Sequence, residues 1–170
     1  NATVVGPASE EGKHIGPLVS EMQFDKVQGL IEQGIKEGAR LVAGGPGRPG
    51  NLSRGYYCRP TVFADVTPDM EIYQQEIFGP DLSIMPFDDE AHAIALANDT
   101  PYGLTNYIQT SDTEKRRRVA RRVRSGMVET NGSGFAQGSP FGGYKQSGNG
   151  REGGLFGLEE FCEVKAVSGW

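Results

Sequence analysis

Eleven of the chain's 25 glycines fall between Gly126 and Gly157. That crowding constrains the fold more than any other feature, because glycine inside a helix or strand costs roughly 0.5 to 1 kcal/mol relative to alanine. Few regular elements fit such a segment. The first 125 of the 170 residues show the opposite habit, an alternation of helical and strand patterns. The reading is therefore a compact α/β body followed by a glycine-rich carboxy-terminal segment.

The body resolves into elements. Ser20-Glu-Met-Gln23 is a capping box, and Phe24, Val27, Leu30, Ile31 and Ile35 recur behind it at helical spacing until Gly38, which predicts a helix over 21–37. Arg40 to Ala43 reads as a strand and Gly44 to Gly55 as a surface loop. Tyr57 to Val66 carries β-branched and aromatic residues around Pro60, so an edge strand or a strand start is expected there. Leu82 to Phe87 is a further apolar run. Asp88 is the expected cap of a helix through Ala91, Ile94, Ala95 and Leu96. Leu104 to Gln109 reads as a strand, Ser111-Asp-Thr-Glu114 as a second capping box, and Met127 to Thr130 as another strand. Strands separated by helices of about 10 to 15 residues predict βαβ units and a mixed, mostly parallel sheet with flanking helices.

Several function classes are disfavoured. The 17 basic and 22 acidic residues leave a net charge of −5, no apolar run approaches the roughly 18 residues of a membrane span, and the amino end has neither a basic n-region nor an apolar h-region. A membrane protein and a secretory precursor are not expected. Cys58 and Cys162 belong to no metal-ligand spacing, and both are expected to be buried structural thiols. The basic run from Lys115 to Arg124 is broken by Val119, Ala120 and Val123 and lacks aromatics for base stacking, so a solvated helix face is favoured over nucleic-acid binding. Gly148-Asn-Gly-Arg-Glu-Gly153 matches a dinucleotide fingerprint in letters only. No strand precedes it, and 17 residues follow it, too few for the βαβ unit the chemistry needs. Gly138 and Gly143 have the spacing of a phosphate loop, but Tyr144 stands in the lysine's place.

Glu76 is different, since it precedes Ile77-Phe78-Gly79-Pro80, an apolar pair and a sharp turn. A carboxylate in that position can accept two O–H bonds from a vicinal diol such as a ribose. Those residues also carry a resemblance. Gly16-Pro-Leu-Val-Ser20, Glu76-Ile-Phe-Gly-Pro80, Asn98-Asp-Thr-Pro-Tyr-Gly-Leu104, Ser139-Pro-Phe-Gly-Gly-Tyr-Lys-Gln-Ser-Gly148 and Gly150-Arg-Glu152 stand in the order and spacing seen in NAD(P)-dependent aldehyde dehydrogenases. The chain resembles the carboxy-terminal third of that family's subunit, within the catalytic domain. The family's dinucleotide-binding domain, general-base glutamate and nucleophilic cysteine have no counterpart in residues 1–170, and Cys58 and Cys162 align with no nucleophile.

The resemblance implies an oxidoreductase that converts an aldehyde to a carboxylic acid with NAD or NADP, through a thiohemiacetal and a thioester on that cysteine. Glu76 resembles the glutamate that holds the cofactor ribose, and Phe78 the aromatic that borders the nicotinamide. Ser133, Phe135 and Phe141 resemble residues of the aldehyde funnel, and Glu152 resembles a proton-relay glutamate. The Lys145 and Gly148 carbonyls resemble a monovalent-cation site. The family also implies a homo-oligomer, a dimer or tetramer, with residues 161–170 as an oligomerisation strand ending in Trp170. A cytoplasmic setting, a small-molecule aldehyde, and neither nucleic acid nor membrane as partner complete the expectations. This chain alone is expected to be inactive. The rival expectation is a stand-alone, non-catalytic binding or assembly module with the same fold.

Overall fold

The structure is a computed structural model that describes residues 3–169. The chain divides into two compact units, residues 1–86 and 87–170. In the first unit, helix α1 spans Glu21–Lys36, with Ser20 as N-cap accepting the Gln23 N–H at 3.2 Å. Its buried face is Phe24, Val27, Leu30, Ile31 and Gly34. Ile35, expected in that stripe, is exposed, because the 24-27-31-34 row turns toward the sheet and leaves position 35 at its margin.

Beneath α1 lies a three-stranded sheet of order β1-β2-β3, comprising Arg40–Ala43, Thr61–Ala64 and Asp81–Ser83. β1 runs antiparallel to β2, with a bulge between Leu41 and Ala43. β2 runs parallel to β3, pairing Thr61 with Asp81 and Phe63 with Ser83. The strand is shorter than the expected 57–66, and of the two places expected for Pro60, an edge strand or a strand start, it takes the second, just before the central strand. Phe63, Ile31 and Val27 are fully buried, and burying side chains of this size stabilises by roughly 1.5 to 3 kcal/mol each. A short helix α2, Glu71–Gln74, adds Ile72 to the same core.

In the second unit, helix α3 spans Glu90–Asn98 and helix α4 spans Thr113–Ala120. Strands β4 (Thr105–Ile108) and β5 (Met127–Thr130) pair in parallel on either side of α4 in the chain, a βαβ arrangement. Both caps fall one residue later than expected. Asp89, not Asp88, accepts the His92 N–H at 2.8 Å, and Asp88 meets the His92 ring instead. Asp112, not Ser111, caps α4 by accepting the Lys115 N–H at 3.0 Å. A carboxylate reaches the third amide from its own position and adds favourable charge at the helix start. In the basic run, Arg118 binds both oxygens of Glu90 at 2.7 Å and Arg117 pairs with Glu114.

The glycine-rich segment is stitched to the loop before β4. The Tyr144 N–H donates to Gly103 O at 2.8 Å, the Gln146 N–H to Pro101 O at 3.0 Å, and the Gly103 N–H to the Ser147 hydroxyl at 3.0 Å. Gly126 permits the closest approach, since a Cβ there would lie 1.9 Å from Gly142 O. Helix α5, Gly154–Glu159, closes the segment. Beyond it, residues 163–169 form no strand, and Val164 is fully exposed. Cys58 is buried as expected, but Cys162 is exposed, because it lies just past α5 where no described residue covers it. Trp170 lies outside the described residues. Among the described residues, no helix is long and apolar enough to cross a membrane.

Candidate functional site

Glu76 and Phe78 lie on the loop between α2 and β3, at the rim of a groove of about 760 Å³ in the first unit. Pro17, Ile72, Pro80 and Asp81 contribute to its wall. Along this loop the chain alternates: Glu76 is exposed, Ile77 is buried as an anchor, and Phe78 is 67% exposed. Phe78 takes the left-handed backbone region at φ +60, which costs a non-glycine residue roughly 1 to 2 kcal/mol.

Two side chains of α1 hold that conformation. Gln23 Nε2 donates to the carbonyls of Ile77 at 3.2 Å and Phe78 at 3.1 Å, and Lys26 Nζ donates to the carbonyl of Glu76 at 3.0 Å. Three consecutive carbonyls are thereby bound by residues one helical turn apart. The Gln23 side chain does not complete the capping box; it spans 54 residues of sequence to reach the loop. Gln23 and Lys26 are absent from the site expected on sequence grounds, where Gln23 reads as the last residue of a capping box. Their i, i+3 spacing beside the apolar stripe is the only trace they leave in the sequence.

Asp81 ends the loop. Both of its carboxylate oxygens are sealed from solvent and have no hydrogen-bond partner, and burial pushes its pKa up to about 6. Thr61 is the neighbouring hydroxyl and opposes that rise. Its single proton, however, goes to Arg59 O at 2.9 Å, and its oxygen accepts the Gly45 N–H. Cys58 is also pushed up, first by burial, with the Gln28 side-chain hydrogen bond opposing. A protonated, buried thiol is a poor nucleophile.

Ser133, Phe135, Phe141, Lys145, Gly148 and Glu152 all fall in the second unit. Asn131 and Gly132 both have positive φ, and the Ser133 N–H returns to Thr130 O at 3.1 Å. This is a type I′ turn, which the Asn-Gly pair favours. The Asn131 side chain ties the turn to both backbone groups of Thr110, so Ser133 is placed at the end of β5. Phe141 and Glu152 face each other through reciprocal backbone hydrogen bonds of 2.7 Å. Phe135 and Phe141 are each about half exposed, and the Glu152 residue is exposed as well.

Lys145 and Gly148 bracket a 3-10 turn in which Lys145 O accepts the Gly148 N–H at 3.4 Å. The Lys145 ammonium points elsewhere, to the carbonyls of Asn98 and Thr100 at 2.7 and 2.9 Å. A carbonyl oxygen has two lone pairs, so Lys145 O retains capacity for a monovalent ion. Among the described residues, no group of three or more His, Cys, Asp or Glu gathers as a metal site.

Known proteins share this fold. A crystal structure of an aldehyde dehydrogenase from Bartonella henselae superposes with a TM-score of 0.95 at 60% identity, covering 99% of this chain and 35% of that one. The NAD+ complex of a Mycobacterium tuberculosis aldehyde dehydrogenase gives a TM-score of 0.89 at 52% identity, over 94% of this chain and 33% of that one. The sequence is also 52% identical over 167 residues to a 3-succinoylsemialdehyde-pyridine dehydrogenase of a Pseudomonas species, with 98% of this chain and 35% of the relative covered. The chain thus spans about a third of the length of the relatives it matches. Residues 1–167 match the aldehyde dehydrogenase family, and the chain belongs to that family.

Proposed function

We propose that the protein to which this chain contributes oxidises an aldehyde to a carboxylic acid with NAD or NADP. The observation that carries the reading is the Glu76–Phe78 loop. It presents a carboxylate and an aromatic ring to solvent beside an open groove, on a backbone clamped by Gln23 and Lys26. The groove and the free carboxylate fit a cofactor ribose. Glu76 would accept its two hydroxyl protons in charge-assisted bonds, and the Phe78 ring would border the nicotinamide. When bound, the cofactor supplies the hydride acceptor.

In the second unit, the Phe135 and Phe141 rings would shield an apolar aldehyde from water, with Ser133 at the funnel edge. Octanal, present with NAD+ in a Pseudomonas syringae aldehyde dehydrogenase structure that is 48% identical to this chain, illustrates the substrate class. Glu152, exposed and paired by its backbone to Phe141, would hold a proton for relay. The Lys145 and Gly148 carbonyls would hold a monovalent cation that steadies the turn. Residues 161–170 would pair with a second copy in a homo-oligomeric, cytoplasmic enzyme; the exposed Val164 and Val167 support this.

The test is Glu76→Gln in the full-length protein. Losing the charge at the ribose should lower kcat or raise the cofactor KM by roughly 10-fold or more, the worth of a charge-assisted hydrogen bond. Unchanged values would return Glu76 to a solvated surface role. The alternative is a stand-alone, non-catalytic binding or assembly module with the same fold, and the mass of the native polypeptide separates the two readings. An intact mass from the native source matching 170 residues would support it, and a mass near three times larger would refute it.

A further inference from the structure

Asp81 is unused by the reading above, yet it lies in the wall of the same groove. It follows the Glu76–Pro80 loop directly and begins β3, where it pairs with Thr61 of the central strand. Its carboxyl group occupies space that only a glycine at position 79 leaves open. A Cβ at Gly79 would lie 2.6 Å from Asp81 Oδ2 and 2.9 Å from Val27 of α1. The loop's last turn is thus packed directly on a carboxyl group whose two oxygens are sealed and unpartnered.

Among the groups packed around Asp81, only the Thr61 hydroxyl opposes the effect of burial, and only in part. α1 contributes Val27, β2 contributes Thr61 with its proton committed to Arg59 O, and α2 contributes Ile72 to the same wall. The titratable neighbour before β2 is Cys58, whose thiol Asp81 itself pushes up. Arg48 acts on Cys58. Of the charged residues nearest in the loop and helix, Lys26 is engaged with Glu76 O and Glu76 is exposed. A neutral carboxyl is tolerated in such surroundings, whereas an ionised one without donors is costly.

We propose that Asp81 is a protonation-sensitive latch on the Glu76–Pro80 loop, closing the groove wall as the neutral acid and releasing it as the carboxylate. Loss of the proton leaves a charge on two sealed oxygens, and lifting the Gly79–Asp81 turn from Val27 would open them to water from the groove. The sign follows from linkage. The closed arrangement binds the proton with a pKa of about 6 and the open, hydrated one near the ordinary 3.9. Closure is favoured fully below about pH 4 and is lost as pH rises through about 6, by up to roughly 100-fold in the closed-to-open ratio. The proposal concerns the loop and not its ligand, so it stands or falls independently of the cofactor reading.

The experiment is amide hydrogen exchange on the full chain from pH 4 to 8, corrected for intrinsic exchange rates and referenced to the core of α1 at Val27 to Ile31. Protection of residues 76–83 should fall by about 10- to 100-fold between pH 4 and 6, and the fall should vanish in Asp81→Asn and Asp81→Val. Flat protection in the wild type, or the same fall in both variants, overturns the latch. Should the variants fail to fold, the carbon chemical shift of the Asp81 carboxyl in the wild type decides. A midpoint near 6 with a matching exchange profile supports the latch, and an ordinary carboxylate midpoint overturns it.

Discussion

Removing the α1 clamp should release the Glu76–Phe78 loop, and the size of the effect can be worked from the geometry. Gln23 makes two hydrogen bonds to carbonyls, at 3.2 and 3.1 Å, one of them part-buried and one exposed. With net values of roughly 0.5 to 1.5 kcal/mol per bond and the exposed one at the low end, Gln23→Met removes about 1 to 2 kcal/mol while keeping the side chain's length. The Lys26 bond to Glu76 O is exposed and adds well under 1 kcal/mol. Against the clamp stands the left-handed Phe78 backbone, roughly 1 to 2 kcal/mol uphill. The two terms are of the same size, so the clamp decides whether the loop stays closed. Gln23→Met should raise amide exchange at residues 76–79 by about 5- to 30-fold and leave the α1 core unchanged. Adding Lys26→Met should give a non-additive further increase, since both side chains hold one segment. In the full-length protein the cofactor KM should rise more than kcat falls. Unaltered exchange at residues 76–79 in the double variant would refute the reasoning, because the loop would then be held by Ile77 burial alone.

Gly126→Ala places a Cβ 1.9 Å from Gly142 O; the backbone must shift, at a cost of about 1 to 3 kcal/mol or more, and an unchanged denaturation midpoint would show that the two segments are not in contact. Asp81→Asn should stabilise the chain at pH 7. The pKa near 6 against about 3.9 unfolded corresponds to about 3 kcal/mol, which screening by water in the groove lowers to roughly 1 to 2 kcal/mol. The gain should disappear below pH 4 in urea titrations, and a gain independent of pH would contradict the assignment. The Arg118 guanidinium beside Glu90 holds that carboxyl below its usual range, so its contribution is present above the ordinary carboxylate pKa and lost as pH falls through the depressed one. Glu90→Gln should remove that acid-side dependence, and identical acid titrations would argue against the pair. Deleting residues 164–170 should abolish self-association in sedimentation at micromolar concentration; an unchanged mass would sink the oligomerisation strand.

Local signals in the sequence locate most elements because their causes are local. The Phe24–Val27–Leu30–Ile31 stripe and the Ser20 cap place α1 within a residue, and Met127 to Thr130 is a strand over the expected range. The caps of α3 and α4 slip by one residue for an equally local reason: Asp88 and Asp89, like Ser111 and Asp112, are adjacent competent caps, and backbone direction chooses between them. Cys162 misleads because cysteine is usually buried, and here it lies past the end of α5 and is exposed.

The site is less legible, and Gln23 shows why. Its sequence position makes it the fourth residue of a capping box, a role satisfied by contacts within four residues. The structure uses only the backbone half of that role and spends the side-chain amide on carbonyls 54 and 55 residues away. No periodicity encodes such a contact, because the partner is a carbonyl, which every residue possesses. What the sequence does reveal is the exposed chemistry at the loop's tip, where Glu76 and Phe78 flank a buried Ile77. Asp81 follows the same logic in reverse. An acid at the start of a strand reads as a surface residue, and only the parallel pairing with Thr61 and the missing Cβ of Gly79 turn its carboxyl inward. A residue's chemistry can thus be read where its side chain meets solvent, while the groups that set the loop's geometry become visible only once the sheet and α1 have been brought together.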